Sequence, residues 1–214
     1  MATGTVAVKL AVQDVCVRFG RRDVFGSVSL SVESGGVVAV SGPNGSGKST
    51  LLRAVCGLLT PSGGAVRLTV ADRAVPQQDV RRHIGLAAPD LGLYRSLTAA
   101  EHLQFAAQMH GVDGSIDRLR DLLTLVGLRG RGRDAVGSYS TGMRHRLRYA
   151  LALIHEPALL MLDEPTANLD AEGAAVVKSI VERQRSHGAV LMATNEASET
   201  SWADHVCVLG AART

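Results

Sequence analysis

Apolar and polar residues alternate over residues 6–19 and again over 28–32. Strict alternation marks strands with one covered face, so both segments are predicted to belong to an antiparallel layer. Residues 37–40 and 158–162 are short, continuously apolar runs instead. Such runs suit strands buried on both faces of a parallel sheet. Further strands are predicted at 66–70, 83–88, 190–193 and 206–209. Helical patterning begins at Leu51 and ends near Cys56-Gly57, before the turn Pro61-Ser62-Gly63-Gly64. Thr98-Ala99-Ala100-Glu101 is a capping box that opens a helix over 99–110, closed by Gly111. A second helix is expected over 116–126, stopping at Gly127. After a basic, Gly-rich loop at 129–137, another runs from about Thr141 to His155, capped by Ser140 or Thr141. A helix over 171–186 and a short one near Glu199 complete the pattern. Strands alternating with helices predict an α/β fold with a mainly parallel core sheet.

One loop carries most of the chemistry. Gly42-Pro43-Asn44-Gly45-Ser46-Gly47-Lys48-Ser49-Thr50 fits G-x-x-x-x-G-K-[ST], between the predicted strand at 37–40 and the helix at Leu51. Glycines let the backbone curl so that N–H groups converge on phosphates. The helix N-terminus adds positive potential. Lys48 would bring a full charge to the β- and γ-phosphates, and Ser49 a hydroxyl for Mg²⁺. Further along, the apolar run Leu159-Leu160-Met161-Leu162 delivers Asp163 and Glu164 at its C-terminal end. Open α/β sheets bind ligands at that edge. Asp163 is placed for the Mg²⁺ shell, and Glu164 for orienting or deprotonating a water. Tyr139-Ser140-Thr141-Gly142-Met143 offers a serine and a glycine at a helix N-terminus, a second candidate anion site.

Composition narrows the classes. The chain has 214 residues, 46% of them hydrophobic, enough for one globular domain. A formal net charge of +3 gives little electrostatic case for nucleic acid. The lysines are Lys9, Lys48 and Lys178 alone. Cys16, Cys56 and Cys207 are scattered and form no C-x-x-C, the pattern of small buried residues in a reducing compartment. Residues 1–10 lack the basic and apolar regions of a secretory signal. No apolar run reaches the length of about 18 residues that a membrane span requires, so a membrane role needs a partner.

These motifs together resemble the ATP-binding subunits of ABC transporters, over nearly the whole chain. Residues 42–50 are similar to the Walker A loop, 159–163 to the Walker B strand, and Glu164 to the catalytic glutamate. Residues 139–143 resemble the signature motif, and Asn168-Leu169-Asp170 the D-loop. Phe19 stands where the family stacks an aromatic on adenine; an ordinary core aromatic is the other reading. The resemblance implies a P-loop NTPase core, an antiparallel β-subdomain and a helical insert at about 95–155, within a single domain over 1–214. It implies ATP and Mg²⁺ as ligands and a head-to-tail pair with a second ATP-binding subunit, here a second copy of the chain. Ser140 and Gly142 would then act in trans on the other subunit's γ-phosphate. It also implies a separate polytopic membrane transport subunit, no nucleic acid, and a peripheral location on the cytoplasmic face of the bacterial inner membrane.

Two family positions differ. Pro89 stands in place of the Q-loop glutamine, with Asp90 or a bridging water as substitutes, and Asn195 in place of the switch histidine. Asn195 would keep a hydrogen bond but not a charge: roughly 0.5–1.5 kcal/mol against about 1.5–3, or about tenfold in rate. With Lys48, Ser49, Asp163 and Glu164 present, an active but slow ATPase is expected. The blocks Ala88-Pro89-Asp90-Leu91-Gly92-Leu93-Tyr94, 139–143 and Ala193-Thr194-Asn195-Glu196 are similar to the haem-exporter ATP-binding subunits of bacterial cytochrome c maturation. A non-transport ABC ATPase and a regulatory nucleotide-binding subunit with little hydrolysis are the alternative readings. Arg129, Arg131, Arg133, Arg144, Arg146 and Arg148 flank the signature segment and read as a solvated basic face.

Overall fold

The computed structural model describes residues 7–210; Val6, placed in the first predicted strand, lies outside them. The predicted antiparallel layer is a four-stranded sheet in the order β2-β1-β4-β5, built from β1 (Val8–Phe19), β2 (Arg22–Glu33), β4 (Gly63–Val70) and β5 (Arg73–Ala74). The core is a five-stranded parallel sheet in the order β6-β7-β8-β3-β9. Its strands are β3 (Val37–Ser41), β6 (Ile84–Ala87), β7 (Leu159–Asp163), β8 (Ala189–Thr194) and β9 (His205–Val208). Both layers follow the hydrophobic pattern. The alternating segments have one exposed face, whereas β7 and β8 are buried at every position.

The parallel sheet divides two apolar clusters by simple alternation. Val38, Val40, Leu159, Met161 and Leu191 face the antiparallel sheet and α1 (Lys48–Val55). Val37, Ala39, Leu160, Leu162, Val190 and Met192 face the other way. That second face is covered by α2 (Ala99–His110), α3 (Ile116–Leu125), α4 (Thr141–Leu153) and α5 (Ala171–Arg185). A short α6 (Ala197–Thr200) follows β8. The capping box at Thr98 and Glu101 forms in full. Gly85 lets α4 lie directly on β6, since a Cβ there would stand 2.1 Å from the Ala152 carbonyl.

Boundaries differ from the sequence pattern where hydrogen bonding, not apolarity, decides them. The β1–β2 ribbon extends back to Arg22, because backbone pairing continues past the apolar stretch. The helix at Thr141 ends at Leu153 rather than His155. The 3₁₀ turns Gln77–Arg82 and Val136–Ser138, and the two-residue β5, have no periodicity to reveal them. Among the described residues no helix is long and apolar enough to cross a membrane.

Candidate active site

The loop at 42–47 leaves the C-terminal end of β3 and turns directly into α1. Gly47 is the N-cap of α1 with φ +96°, and a Cβ there would lie 2.6 Å from the Phe25 ring and 2.8 Å from Val24. Strand β2 thus presses the loop into its curl, and any side chain at 47 would lift it off. Lys48 is buried, and an ammonium out of water requires oxygen partners. Its Nζ donates to the Gly42 carbonyl at 2.9 Å and the Pro43 carbonyl at 3.4 Å, with Glu164 Oε1 at 3.8 Å. Ser46 Oγ is buried with no hydrogen-bond partner among the described residues. A buried hydroxyl in that condition, beside a buried ammonium at a helix N-terminus, suits a phosphate oxygen.

Ser49, one residue into α1, hydrogen-bonds Asp163 at the end of β7. Burial pushes the Asp163 carboxyl above its ordinary range, and the Ser49 hydrogen bond offsets part of that. Asp163 Oδ1 is buried without a hydrogen-bond partner among the described residues. A hydroxyl and a desolvated carboxylate side by side are hard oxygen donors, and they fit Mg²⁺. No group of three or more His, Cys, Asp and Glu gathers among the described residues. Ser49 and Asp163 would therefore hold Mg²⁺ together with phosphate oxygens and water, the usual mode for this ion.

Glu164 follows with its side chain partly exposed and its backbone in the left-handed region, φ +50°. Its amide donates to the Ala193 carbonyl of β8 at 2.8 Å. Asn195, just past β8, donates through Nδ2 to Asn44 Oδ1 at 3.2 Å. Lys48, Ser49, Asp163, Glu164, Asn44 and Asn195 thus converge at the C-terminal edge of the parallel sheet. Gly42, Pro43, Gly45, Ser46, Gly47 and Thr50 complete the loop and the first turn beneath them. A surface cavity of about 860 Å³ lies elsewhere, beside Pro157 and Ala158 at the start of β7, and contains none of these residues.

Three predicted positions stand apart. Phe19 is 58% exposed at the end of β1, which removes the core-aromatic reading. It pairs with Arg22 in the ribbon whose Val24 and Phe25 support Gly47. Ser140 is the N-cap of α4, and its hydroxyl accepts from the Met143 amide at 3.1 Å. Gly142 lies beside the Asn168 carbonyl and Leu169. Among the described residues no hydrogen bond joins Ser140 or Gly142 to the 42–50 loop.

The departures have local explanations. Pro89 and Asp90 are the central residues of a turn closed by Leu91 N–H to the Ala88 carbonyl at 3.2 Å, where proline is favoured. The Asp90 carboxylate pairs with Arg53 of α1. The arginines near the signature segment are largely engaged with their own chain. Arg144 donates to the Tyr139 carbonyl, Arg146 to Gly127 at 2.9 Å, and Arg148 to Leu91 at 2.8 Å. Arg131 pairs with Asp134 at 3.2 Å. The solvated basic face is thus in good part a set of carbonyl ties.

Sequence reasoning missed three buried polar residues behind Glu164: His145, Tyr149 and Glu199. The signal was the spacing of His145 and Tyr149, one helical turn apart on the covered side of α4.

Comparison with known proteins agrees with this geometry. The ABC transporter family profile matches residues 25–167. NatA of Bacillus subtilis (strain 168), described as an ABC transporter ATP-binding protein, is 36% identical over 159 residues, 73% of this chain and 65% of NatA. The chain thus spans just under two thirds of that relative. The lantibiotic transport ATP-binding protein SrtF of Streptococcus pyogenes is 34% identical over 183 residues, 86% of this chain and 78% of SrtF. A solved ATP-binding subunit of an ABC transporter superposes with a TM-score of 0.83 at 28% identity, covering 94% of this chain and 85% of that one. With its phosphate loop, Asp-Glu strand end and signature-like cap in the family's order, the chain belongs to the ABC transporter ATP-binding family.

Proposed function

We propose that this chain hydrolyses ATP and thereby drives a separate polytopic membrane transport subunit. The observation that carries the reading is the meeting of Lys48, Ser49, Asp163 and Glu164 at one sheet edge, with two buried oxygens, on Ser46 and Asp163, left unpartnered. Residues 42–48 bind the phosphates, and Lys48 exchanges its loop carbonyls for phosphate oxygens. Ser49 and Asp163 would hold Mg²⁺, which would supply charge neutralisation at the phosphates. Glu164 accepts a proton from the attacking water. The water oxygen forms the new bond to the γ-phosphorus while the bond to the ADP oxygen breaks. Asn195 holds Asn44 and offers a neutral hydrogen bond to the γ-phosphate. Phe19 stacks on the adenine. Ser140 and Gly142 complete the site of a second copy, since their own chain keeps them apart from its loop.

We take residues 1–214 as one such domain, with the helical insert at about 95–155. Support for a membrane partner comes from the surface beside α2. Leu58, Tyr94, Phe105 and Met109 are exposed there, at 53%, 72%, 60% and 70%. Leu58 also lines a groove with Leu91, Leu93 and Ala106. Apolar side chains so gathered suit a protein contact. The location this implies is the cytoplasmic face of the bacterial inner membrane.

The cargo is a narrower matter. Lantibiotic transport is named for SrtF. For this chain, haem export rests on the three short blocks at 88–94, 139–143 and 193–196. Two measurements test the reading. Steady-state phosphate release should fall about 10²–10³-fold in Glu164→Gln while ATP binding persists; unchanged release would remove Glu164 from its role. Affinity purification from detergent-solubilised membranes with ATP should bring down a polytopic protein. A haem absorption band in that complex would favour haem export, and the absence of any membrane partner would favour a non-transport ATPase.

A further inference from the structure

Glu164 is held in its unusual backbone conformation by side chains that nucleotide binding does not use. Its φ of +50° is one that residues with a Cβ rarely adopt, and such conformations persist where the surroundings over-determine them. Asn168, at φ +62°, closes the same segment. Each residue immediately after Glu164 is pinned from outside the loop. The Pro165 carbonyl accepts from the Tyr149 hydroxyl. The Thr166 amide donates to Glu199 Oε1 at 2.8 Å, and its hydroxyl bonds the same oxygen. The Ala167 carbonyl lies 2.8 Å from His145 Nδ1.

The three clamping residues are 0%, 1% and 3% exposed for Tyr149, Glu199 and His145. His145 and Tyr149 also touch each other, Nε2 to Oη at 3.2 Å with ring centroids 5.2 Å apart. Tyr149 thus holds the 165 carbonyl and His145, packed beside it, the 167 carbonyl. Burial is the main influence on His145 and lowers its pKa, which favours the neutral ring with its proton directed at Ala167. The clamp reaches the loop from α4 on one side and α6 on the other. Ser140 caps helix α4, so the same rigid element carries the signature turn and fixes the residues behind Glu164.

We propose that Tyr149, His145 and Glu199 are positioning residues that set the Glu164 carboxylate for its reaction by locking the backbone of residues 165–167. The proposal rests on the ATP-hydrolysis reading, and it makes a structural claim that can be measured without hydrolysis. Tyr149→Phe removes one hydroxyl and leaves the ring. Glu199→Met keeps the side-chain length and removes the acceptor.

The test uses the full chain and three readouts. In both variants kcat should fall about tenfold while KM for ATP changes less than about twofold, the signature of an interaction that matters only in the transition state. Amide hydrogen exchange, read by mass spectrometry over 164–169, should quicken about tenfold with the melting temperature of the whole chain nearly unchanged. Added to Glu164→Gln, Tyr149→Phe should lower kcat no further, because the residue it positions is already disabled. Unchanged exchange in both variants overturns the clamp whether or not the protein hydrolyses ATP. Equal loss in the wild-type and Glu164→Gln backgrounds also overturns it, since that describes general damage. A wild-type protein that binds ATP and releases no phosphate fails the hydrolysis reading instead, and the exchange result still decides the clamp.

Discussion

The loop at 42–48 and the turn at 139–143 are both helix N-termini furnished with hydroxyls and glycines, yet they are built in opposite ways. The loop is pressed against Phe25, its lysine is buried, and Ser46 is left without a partner. The turn exposes Ser140 and Thr141, and its serine is satisfied by the amide it caps. An unsatisfied buried group is costly unless a ligand completes it. A satisfied exposed cap, by contrast, is an ordinary helix start until something approaches from outside. On the proposed reading the first is a receptor finished within one chain, and the second acts only against a second copy.

The sharpest way to break that contrast is Lys48→Ala. Phosphate release should drop by about 10³-fold or more, with weakened ATP binding. A loss below tenfold would mean the loop is not the receptor. Next in size is Ser140→Ala, which should slow hydrolysis about tenfold and, as a lost cap, cost about 1 kcal/mol of stability. Mixing the two impaired variants sharpens the comparison. A mixed pair joins the intact loop of the Ser140→Ala chain to the intact Ser140 of the Lys48→Ala chain. Activity should therefore recover on mixing, and failure to recover would place Ser140 in cis. Asn195→His should raise the rate by up to about tenfold by restoring charge near the γ-phosphate; no gain would leave Asn195 as a tie to Asn44 alone.

The smallest effect concerns the opposite end of the sheet. Burial holds His155 down to about 4, with neighbouring His110 adding to the effect. Its Nε2 lies 3.2 Å from the Ile84 carbonyl, and its Nδ1 has no hydrogen-bond partner among the described residues. The unfolded chain binds a proton near the ordinary histidine value of 6.5 and the folded chain does not. Stability should therefore be unaffected above that pH and should fall progressively as pH drops toward about 4. Melting curves of His155→Gln should show a shallower acid loss, while phosphate release at neutral pH should hardly change.

The receptor half was legible because its chemistry is local. Nine consecutive residues specify the phosphate loop, and one apolar strand ending in two acids specifies its counterpart. The layers were legible for the same reason, since alternation along β1 and continuous apolarity along β7 each reflect one strand's surroundings. What stayed hidden depends on distant residues. Glu199 sits in a polar stretch whose one buried acid looks like its exposed neighbours until α6 folds onto Thr166. Arg148 reads as surface charge until it meets the Leu91 carbonyl. Pro89 looked like the loss of a glutamine side chain, and the structure adds that it also begins a tight turn.

The left-handed backbone at Glu164 carries a consequence for how this chain tolerates change. Glycine would occupy that conformation without the Cβ penalty, so Glu164→Gly should relieve strain while deleting the carboxylate. Heat resistance and turnover thus pull in opposite directions at a single codon. A variant library screened for heat resistance alone would drift toward glycine there and lose turnover. A library screened for both would keep glutamate and with it the polar side chains that hold the loop behind it.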